Sequence, residues 1–346
     1  MKIHLYDSDP RKYSEPEKYK FNHGSLSSAM ININNCLQKS SNYAEPDNAE
    51  WVGIEDGLNV SFKYKDKNSF VISVWETANT LPYILLNQAK STNQRLFGTS
   101  RQISKLWERY GFECPTIYNG CDSDFWCPSK EKDPNRFVFL HAAASFVRSG
   151  LDLTIQAFEE AFGDNKDVVL IIKDTGMSLT LKRKIEEYIS KGVNIEFLSE
   201  RLTLQEMRDL YSSAHCAVTL QRSASFGLIT PESMACGTYC LTGDIEPSNE
   251  IVNSSVASLV PLRAFIPIYR DMKYFVQDWG LLNTFGTFPY PEEPYFADFD
   301  VDVYASKMKE VKDNWSNYSK INVRKHIVDN WGWEKPAKRL VELLSK

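Results

Sequence analysis

The residues best placed to do chemistry lie between Leu220 and Gly237, in the stretch LQRSASFGLITPESMACG. It reads as the end of a buried strand, a loop holding Ser225-Phe226-Gly227-Leu228, and a short helix that opens with Pro231 and Glu232. Proline suits a first helical position because the donor it lacks is unsatisfied there anyway, and Gly237 just past the end suits a left-handed cap. A carboxylate at a helix start, beside a glycine loop with free backbone donors, makes a place to bind a polar, anionic ligand. Three further positions belong to the same search. His23-Gly24-Ser25 enters a helix directly after the loop that follows the first strand, either as a phosphate or sugar cradle or as ordinary helix capping. Glu76-Thr77 stands at the carboxyl end of the apolar run Phe70–Trp75, where open α/β sheets place their ligands, although a strand-end cap explains it equally. His141 ends another buried strand, as a satisfied core histidine or as a ligand contact.

The elements that must carry these residues follow from periodicity. Lys2–Tyr6 alternates like a first strand, and Leu58, Val60, Phe62 and Tyr64 alternate like a half-exposed one. Phe70–Trp75 reads as a buried parallel strand, and Arg95–Thr99 and Thr116–Tyr118 as short ones. Ile103, Leu106, Trp107 and Tyr110 mark a helix face. Pro128–Asn135 is polar, proline-bearing and aperiodic, the best linker in the chain. Beyond it come strands at Phe137–Ala142, Val168–Lys173, Ile195–Leu198, Cys216–Leu220 and Thr238–Thr242. A helix runs from Leu151 to Phe162 and stops at Gly163, and Thr203 with Glu206 forms a capping box. Strand–helix alternation on both sides of a linker predicts two doubly wound α/β domains facing each other. The aromatic segment Ile266–Phe296 interrupts the pattern, either as a lid over the cleft or as an insertion packed on the surface.

Composition narrows the function. The chain has 346 residues, is 42% hydrophobic and 25% charged, and carries a net charge of −5. That is the make-up of a soluble globular protein long enough for two cores, and it offers no electrostatic case for a dedicated nucleic-acid binder. No apolar run approaches the ~18 residues of a spanning helix, and the first residues turn polar too soon for a signal peptide. Seven cysteines without a CxxC pair read as reduced thiols of a cytoplasmic protein. The spacing of Cys114, Cys121 and Cys127 is too wide for a zinc knuckle, so no metal is expected.

Several of these stretches, taken in order, resemble one family. SFGLITPESMACG resembles the EGFGLxxxEAMACG signature of retaining GT-B glycosyltransferases of the glycogen-synthase-like, family-4 type. SFVRSGLDLTIQAF is similar to that family's RKGxDxLLxAF segment, Leu204–Ala217 to its "eelxxlYxxAd" helix, and GDIEPSNEIV to its "GgxxEiv" turn. VWETANTLP, GTSRQI and YNGCDSDFWCP resemble its amino-terminal landmarks, and ADFDVDVYASKMKEV and WGWEKPAKRL its closing helices. The likeness covers roughly residues 70–346. It implies the GT-B arrangement of two Rossmann-like domains across a cleft: an acceptor-side domain over 1–132, a nucleotide-sugar domain over 133–325, and a last helix over 326–346 packing back on the first domain.

The resemblance also implies roles. Glu232 would hold the donor's ribose hydroxyls. Ser225, Phe226, Gly227, Leu228 and Thr230 would line the donor, with Gly227 allowing close backbone approach. Arg148 and Lys173 would neutralise the leaving diphosphate, which agrees with the general expectation that cations at strand ends of such a cleft stabilise growing charge. His23, Gly24 and Glu76 would serve the acceptor or a phosphate. The co-substrate would be a UDP- or GDP-sugar with no other cofactor, transfer would proceed with retention and without a metal, and the acceptor stays open among glycan, protein, small molecule and nucleic-acid base. Three departures stand out. The family's first signature glutamate falls at Ala224, its loop arginine near Ala144, and its lysine near Ser149, with Arg148 one residue earlier standing in for that lysine. They motivate a second reading, a catalytically silent sugar-binding or scaffolding protein of the same fold. A nicotinamide oxidoreductase is the weakest reading, because no GxGxxG follows a predicted strand.

Overall fold

Apolar runs buried on both faces form parallel strands only when helices cover the sheet from each side, and the chain builds two such sheets. The structure is a computed structural model that describes residues 1–6, 25–56, 68–92, 94–143, 147–174, 179–268 and 289–346. The first sheet contains β1 (Ile3–Tyr6), β2 (Trp51–Asp56), β3 (Asn68–Ser73) and β4 (Arg95–Gly98), all parallel and neighbours in that order. Helices α1 (Ser25–Lys39), α2 (Tyr83–Ser91) and α3 (Arg101–Glu108) accompany it. Ser100 caps α3 by accepting the Ile103 N–H.

The second sheet begins with β5 (Phe137–Ala142), α4 (Leu151–Phe162), β6 (Val168–Lys173), α5 (Leu179–Ser190) and β7 (Ile195–Leu198). It continues with α6 (Leu204–Ser213), β8 (Cys216–Thr219), α7 (Ile229–Ala235), β9 (Tyr239–Asp244), α8 (Ser248–Ile251) and β10 (Ser258–Pro267). Then come β11 (Tyr295–Phe299), α9 (Val301–Asp313), α10 (Trp315–Tyr318), α11 (Val323–Asn330) and α12 (Glu334–Leu344). The strand order is β11-β10-β9-β8-β5-β6-β7, parallel except for β11. Counted from β5, its six parallel strands have the dinucleotide-fold order 3-2-1-4-5-6, which reverses direction between β5 and β8. The second sheet is therefore doubly wound, whereas the four strands of the first follow one another in chain order. Thr203 and Glu206 form a complete capping box on α6, and Gly163 ends α4 at φ 53°.

Some elements differ from the sequence reading. The alternating Leu58–Tyr64 lies outside the described residues. Thr116–Tyr118 contributes one isolated bridge, Gly98 to Thr116, rather than a strand. Helix α7 starts two residues earlier than expected, so Pro231 is its third residue, not its first, while Gly237 does take the left-handed conformation at φ 82°. Pro128–Asn135 does not run free: the Ser129 hydroxyl donates to Asp209 at 2.6 Å, and the Lys132 ammonium donates to the carbonyls of Ser212 and Ala214 at 3.1 and 2.5 Å. Of the aromatic segment, residues 269–288 lie outside the described part.

The two sheets meet along several polar contacts. Arg101, Lys105 and Arg109, spaced four apart along and just beyond α3, pair with Glu250 (3.3 Å), Glu246 (2.6 Å) and Glu292 (2.8 Å). Residues 289–295 lead into β11 across the first domain, where Pro289 accepts from the Tyr83 N–H and Tyr295 accepts from the Ala78 N–H, each at 3.0 Å. Trp333, the residue just before helix α12, and Ala337, Leu340 and Leu344 of that helix are buried in the same core as Ile3, Leu5, Phe70 and Ile72. Among the described residues, no helix is long and apolar enough to cross a membrane.

Candidate functional site

In an open α/β sheet the crevice beyond the carboxyl ends of the strands, where the strand order reverses, is the ligand-binding position. Here that place is the gap beyond β5 and β8. Three chain segments converge on it: the loop from β5 into α4, the end of β6, and residues 220–228 leaving β8.

The first segment is fixed by Gly150. It has φ 70°, caps α4 and lies so close to the Leu220 carbonyl that a Cβ would collide with it. This contact lays the single turn Val147–Ser149 against the β8 loop, where the Arg222 N–H donates to the Arg148 carbonyl at 2.8 Å. The Arg148 guanidinium then reaches two ways. Its Nη1 donates to the Ser223 carbonyl at 3.2 Å, and its Nε stands 3.0 Å from the Glu76 carboxylate of the first domain. Arg148 and Glu76, two candidates far apart in sequence, thus face each other across the cleft.

Arg222, which no motif in the sequence marks, anchors the loop. Both it and Asp152 have side chains 0% exposed, and they form a bidentate pair with Nη1–Oδ1 and Nη2–Oδ2 at 2.6 Å each. Nη1 also donates to the Val147 carbonyl at 2.7 Å. A planar guanidinium meeting a carboxylate fork-on-fork gains direction as well as energy. One side chain therefore ties together the turn carrying Arg148, the start of α4 and the loop carrying Ser225–Leu228.

Within that loop, the Ser225 hydroxyl lies 2.6 Å from that of Thr99 in the first domain, a second bond across the cleft. Phe226 is buried, with its ring 5.6 Å from that of Trp331. Gly227 holds φ 86°, a conformation that costs a residue with a Cβ. Leu228 is the N-cap residue of α7, which has no side-chain cap. Thr230 turns inward: it is buried, with its hydroxyl 3.1 Å from that of Thr219. Glu232 is half-buried and accepts from the Tyr211 hydroxyl at 3.4 Å. Burial pushes its carboxyl up to about 8, and the Tyr211 bond opposes this. At neutral pH it is a carboxylic acid, able to donate as well as accept.

Lys173 ends β6 beside Ala142 of β5 and is 7% exposed. Its ammonium makes no hydrogen bond to another described residue, and burial lowers its pKa while the neighbouring Asp174 pulls it back. A partly desolvated cation at a strand end is suited to an incoming anion. His141 is 1% exposed, with Nδ1 3.3 Å from the Thr154 hydroxyl, which in turn meets the Tyr304 hydroxyl at 3.2 Å. Burial, opposed by Asp152, lowers it to about 4, so it is neutral and belongs to the layer beneath the cleft. His23 and Gly24 lie outside the described residues, as does Ala144. Among the described residues, no group of three His, Cys, Asp or Glu side chains is placed to hold a metal ion, and all seven cysteines are free thiols.

Comparison with known proteins bears on this arrangement. Residues 122–266 match the family described as Glycosyl transferases group 1. The O-antigen chain mannosyltransferase RfbU of Salmonella typhimurium is 21% identical over 220 residues, an alignment covering 63% of this chain and 57% of that protein. The chain thus spans little more than half of that relative. A glycosyltransferase of Rickettsia africae superposes with TM-score 0.62 at 11% identity, covering 99% of this chain and 96% of that one. The Anabaena protein HepE, in complex with UDP and glucose, superposes with TM-score 0.61 at 13% identity over 99% and 91% of the two chains. Such low identities speak for the fold alone. Together, the two parallel α/β sheets and these superpositions give the chain a GT-B fold, and its residues 122–266 match the glycosyltransferase group 1 family.

Proposed function

We propose that this protein transfers a sugar from a UDP- or GDP-linked donor to an acceptor, with retention of anomeric configuration and without a metal ion. The observation that carries this reading is the convergence of Arg148, Lys173 and the Ser225–Leu228 loop on the switch point of the second sheet. Two cations there supply the positive charge that a departing nucleoside diphosphate needs, in a partly desolvated setting where such charge counts most. In the step itself the bond from C1 of the sugar to the diphosphate oxygen breaks. A bond from C1 to the acceptor oxygen forms on the same face, and the acceptor's proton passes to the leaving phosphate. No protein nucleophile is needed. Glu232, neutral and able both to donate and to accept, is chemically suited to a ribose diol. Glu76 would meet the acceptor side once a diphosphate takes its place at Arg148. The name of RfbU and the UDP-bound state of HepE are consistent with a nucleotide-sugar donor.

The test is release of UDP or GDP from UDP-glucose, UDP-N-acetylglucosamine, UDP-glucuronic acid and GDP-mannose, with Glu232→Ala and Lys173→Met as variants. Glu232→Ala should weaken donor binding at least tenfold, and Lys173→Met should lower turnover more than affinity. If the folded protein binds a nucleotide sugar but releases no diphosphate, even by slow hydrolysis, the silent sugar-binding reading motivated by Ala224 replaces this one.

A further inference from the structure

The loop leaving β8 contains few side chains free to read a ligand. Arg222 is consumed by Asp152 and Val147. Ser223 is buried, Ser225 is engaged with Thr99, and Ala224 is a buried methyl group. Gln221 remains. It sits one residue past Leu220 at the carboxyl edge of the sheet, is partly exposed, and is turned by a 2.7 Å bond from its N–H to the Thr219 carbonyl. Its amide makes no side-chain hydrogen bond to another described residue. The amide oxygen lies over the backbone of Gly227: a Cβ built there would be 3.4 Å from Gln221 Oε1 and 3.9 Å from the Ala224 methyl. The amide and the methyl therefore border the same small space above the one backbone position in the loop kept bare by its left-handed conformation.

Resting on the glycosyltransferase reading, we infer that Gln221 contacts the sugar of the donor from the position an acid at residue 224 would otherwise command. The exchange changes the chemistry read. A carboxylate only accepts, and so favours plain hydroxyls; a primary amide also donates, and carries no charge. A donor sugar bearing an oxygen acceptor, either the carbonyl of an acylamino group or a carboxylate, can be held by the amide N–H. It meets no negative charge at residue 224. The preferred donor is accordingly a sugar with such a substituent rather than an unsubstituted hexose. Discrimination of this kind is strong when a polar group of the site is left unpaired by the wrong substrate.

The experiment measures affinity of the full chain for UDP and GDP, and for UDP-N-acetylglucosamine, UDP-glucuronic acid, UDP-glucose and GDP-mannose, by titration calorimetry. The same titrations are made on Gln221→Ala and Gln221→Glu. The parent should bind one of the two acceptor-bearing donors at least tenfold more tightly than either hexose donor, and which one identifies the substituent. Gln221→Ala should erase that preference while leaving affinity for the free diphosphate within twofold, which also controls for folding. Gln221→Glu should reverse it. If a diphosphate binds but the variants change every sugar nucleotide equally, or none, the assignment of Gln221 is overturned and the function stands. If neither UDP nor GDP binds the parent, both fall.

Discussion

Replacing Asp152 by alanine is the most searching perturbation the structure offers. The carboxylate meets Arg222 in a bidentate pair with both side chains 0% exposed, so its removal leaves a guanidinium buried without its counter-charge. Loss of one partner of such a pair costs about 3–5 kcal/mol. In a domain of 150–250 residues each kcal/mol lowers the melting temperature by about 2–4 °C, so the variant should melt roughly 6–20 °C below the parent. The desolvation argument makes a second demand. Converting both partners to apolar residues, Asp152→Leu with Arg222→Met, should restore most of the lost stability, because two well-packed hydrophobes commonly match or exceed a buried pair. Stability and binding should then separate. Arg222 also holds the Val147 carbonyl and the register of the Arg148 turn, so the double variant should fold yet bind UDP or GDP at least fivefold more weakly. Thermal unfolding with and without nucleotide reads both quantities. A single variant that loses less than about 1 kcal/mol, or a double variant that binds nucleotide like the parent, would refute the view that this pair organises the site.

Two further outcomes follow from the same geometry. Gly150→Ala puts a Cβ against the Leu220 carbonyl at φ 70°. It should cost about 2–4 kcal/mol, of which left-handed strain supplies about 1–2, and weaken diphosphate binding by displacing Arg148; an unchanged melting temperature would contradict the packing described. Glu232 has a folded pKa of about 8, above the unfolded carboxyl value of 4.5, so the native state holds a proton that the unfolded chain releases. Its favourable contribution is full below pH 4.5 and is lost as pH rises to about 8. Glu232→Gln should therefore match the parent near pH 4.5 and melt higher at pH 8.5. Discounted for partial exposure, the effect is on the order of 1–2 kcal/mol, or roughly 2–8 °C; a gain confined to acid pH would show the sign to be wrong.

How far the residues announced the structure depended on where the information lay. Phe137–Ala142 and Val168–Lys173 are continuous apolar runs, and burial on both faces leaves them no other form than central parallel strands. The α6 capping box and the glycine end of α4 are local too, since everything that decides them lies within four residues. The strand Trp51–Asp56 is hard to read from its residues because Gly53 breaks its apolar character. Only the fold shows why glycine is there: the Phe70 ring of the neighbouring strand fills the space a side chain would need. The cleft was legible as positions, not as partnerships. Glu76 and Arg148 each stand out by position, but nothing at a separation of 72 residues says that they face each other. Nothing in the sequence marks Arg222 or Asp152 as a pair, because burial is a property of the assembled domain. The same holds for Thr99 against Ser225 and for the row of bases on α3. Proline misled at α7, where its fixed φ suits the third residue of the first turn as well as the first.

The return of helix α12 to the first domain has a consequence for how the chain acquires its shape during synthesis. Domains made early on the ribosome ordinarily fold while later ones are still emerging. Here Trp333, Ala337, Leu340 and Leu344 supply part of the core that surrounds Ile3, Leu5, Phe70 and Ile72. The first sheet must therefore wait for residues 333–344 before that face is dry, and the intervening domain can be complete first. A ribosome stalled before residue 333 would display a greasy groove on β1 and β3 that residues 333–344 are built to fill.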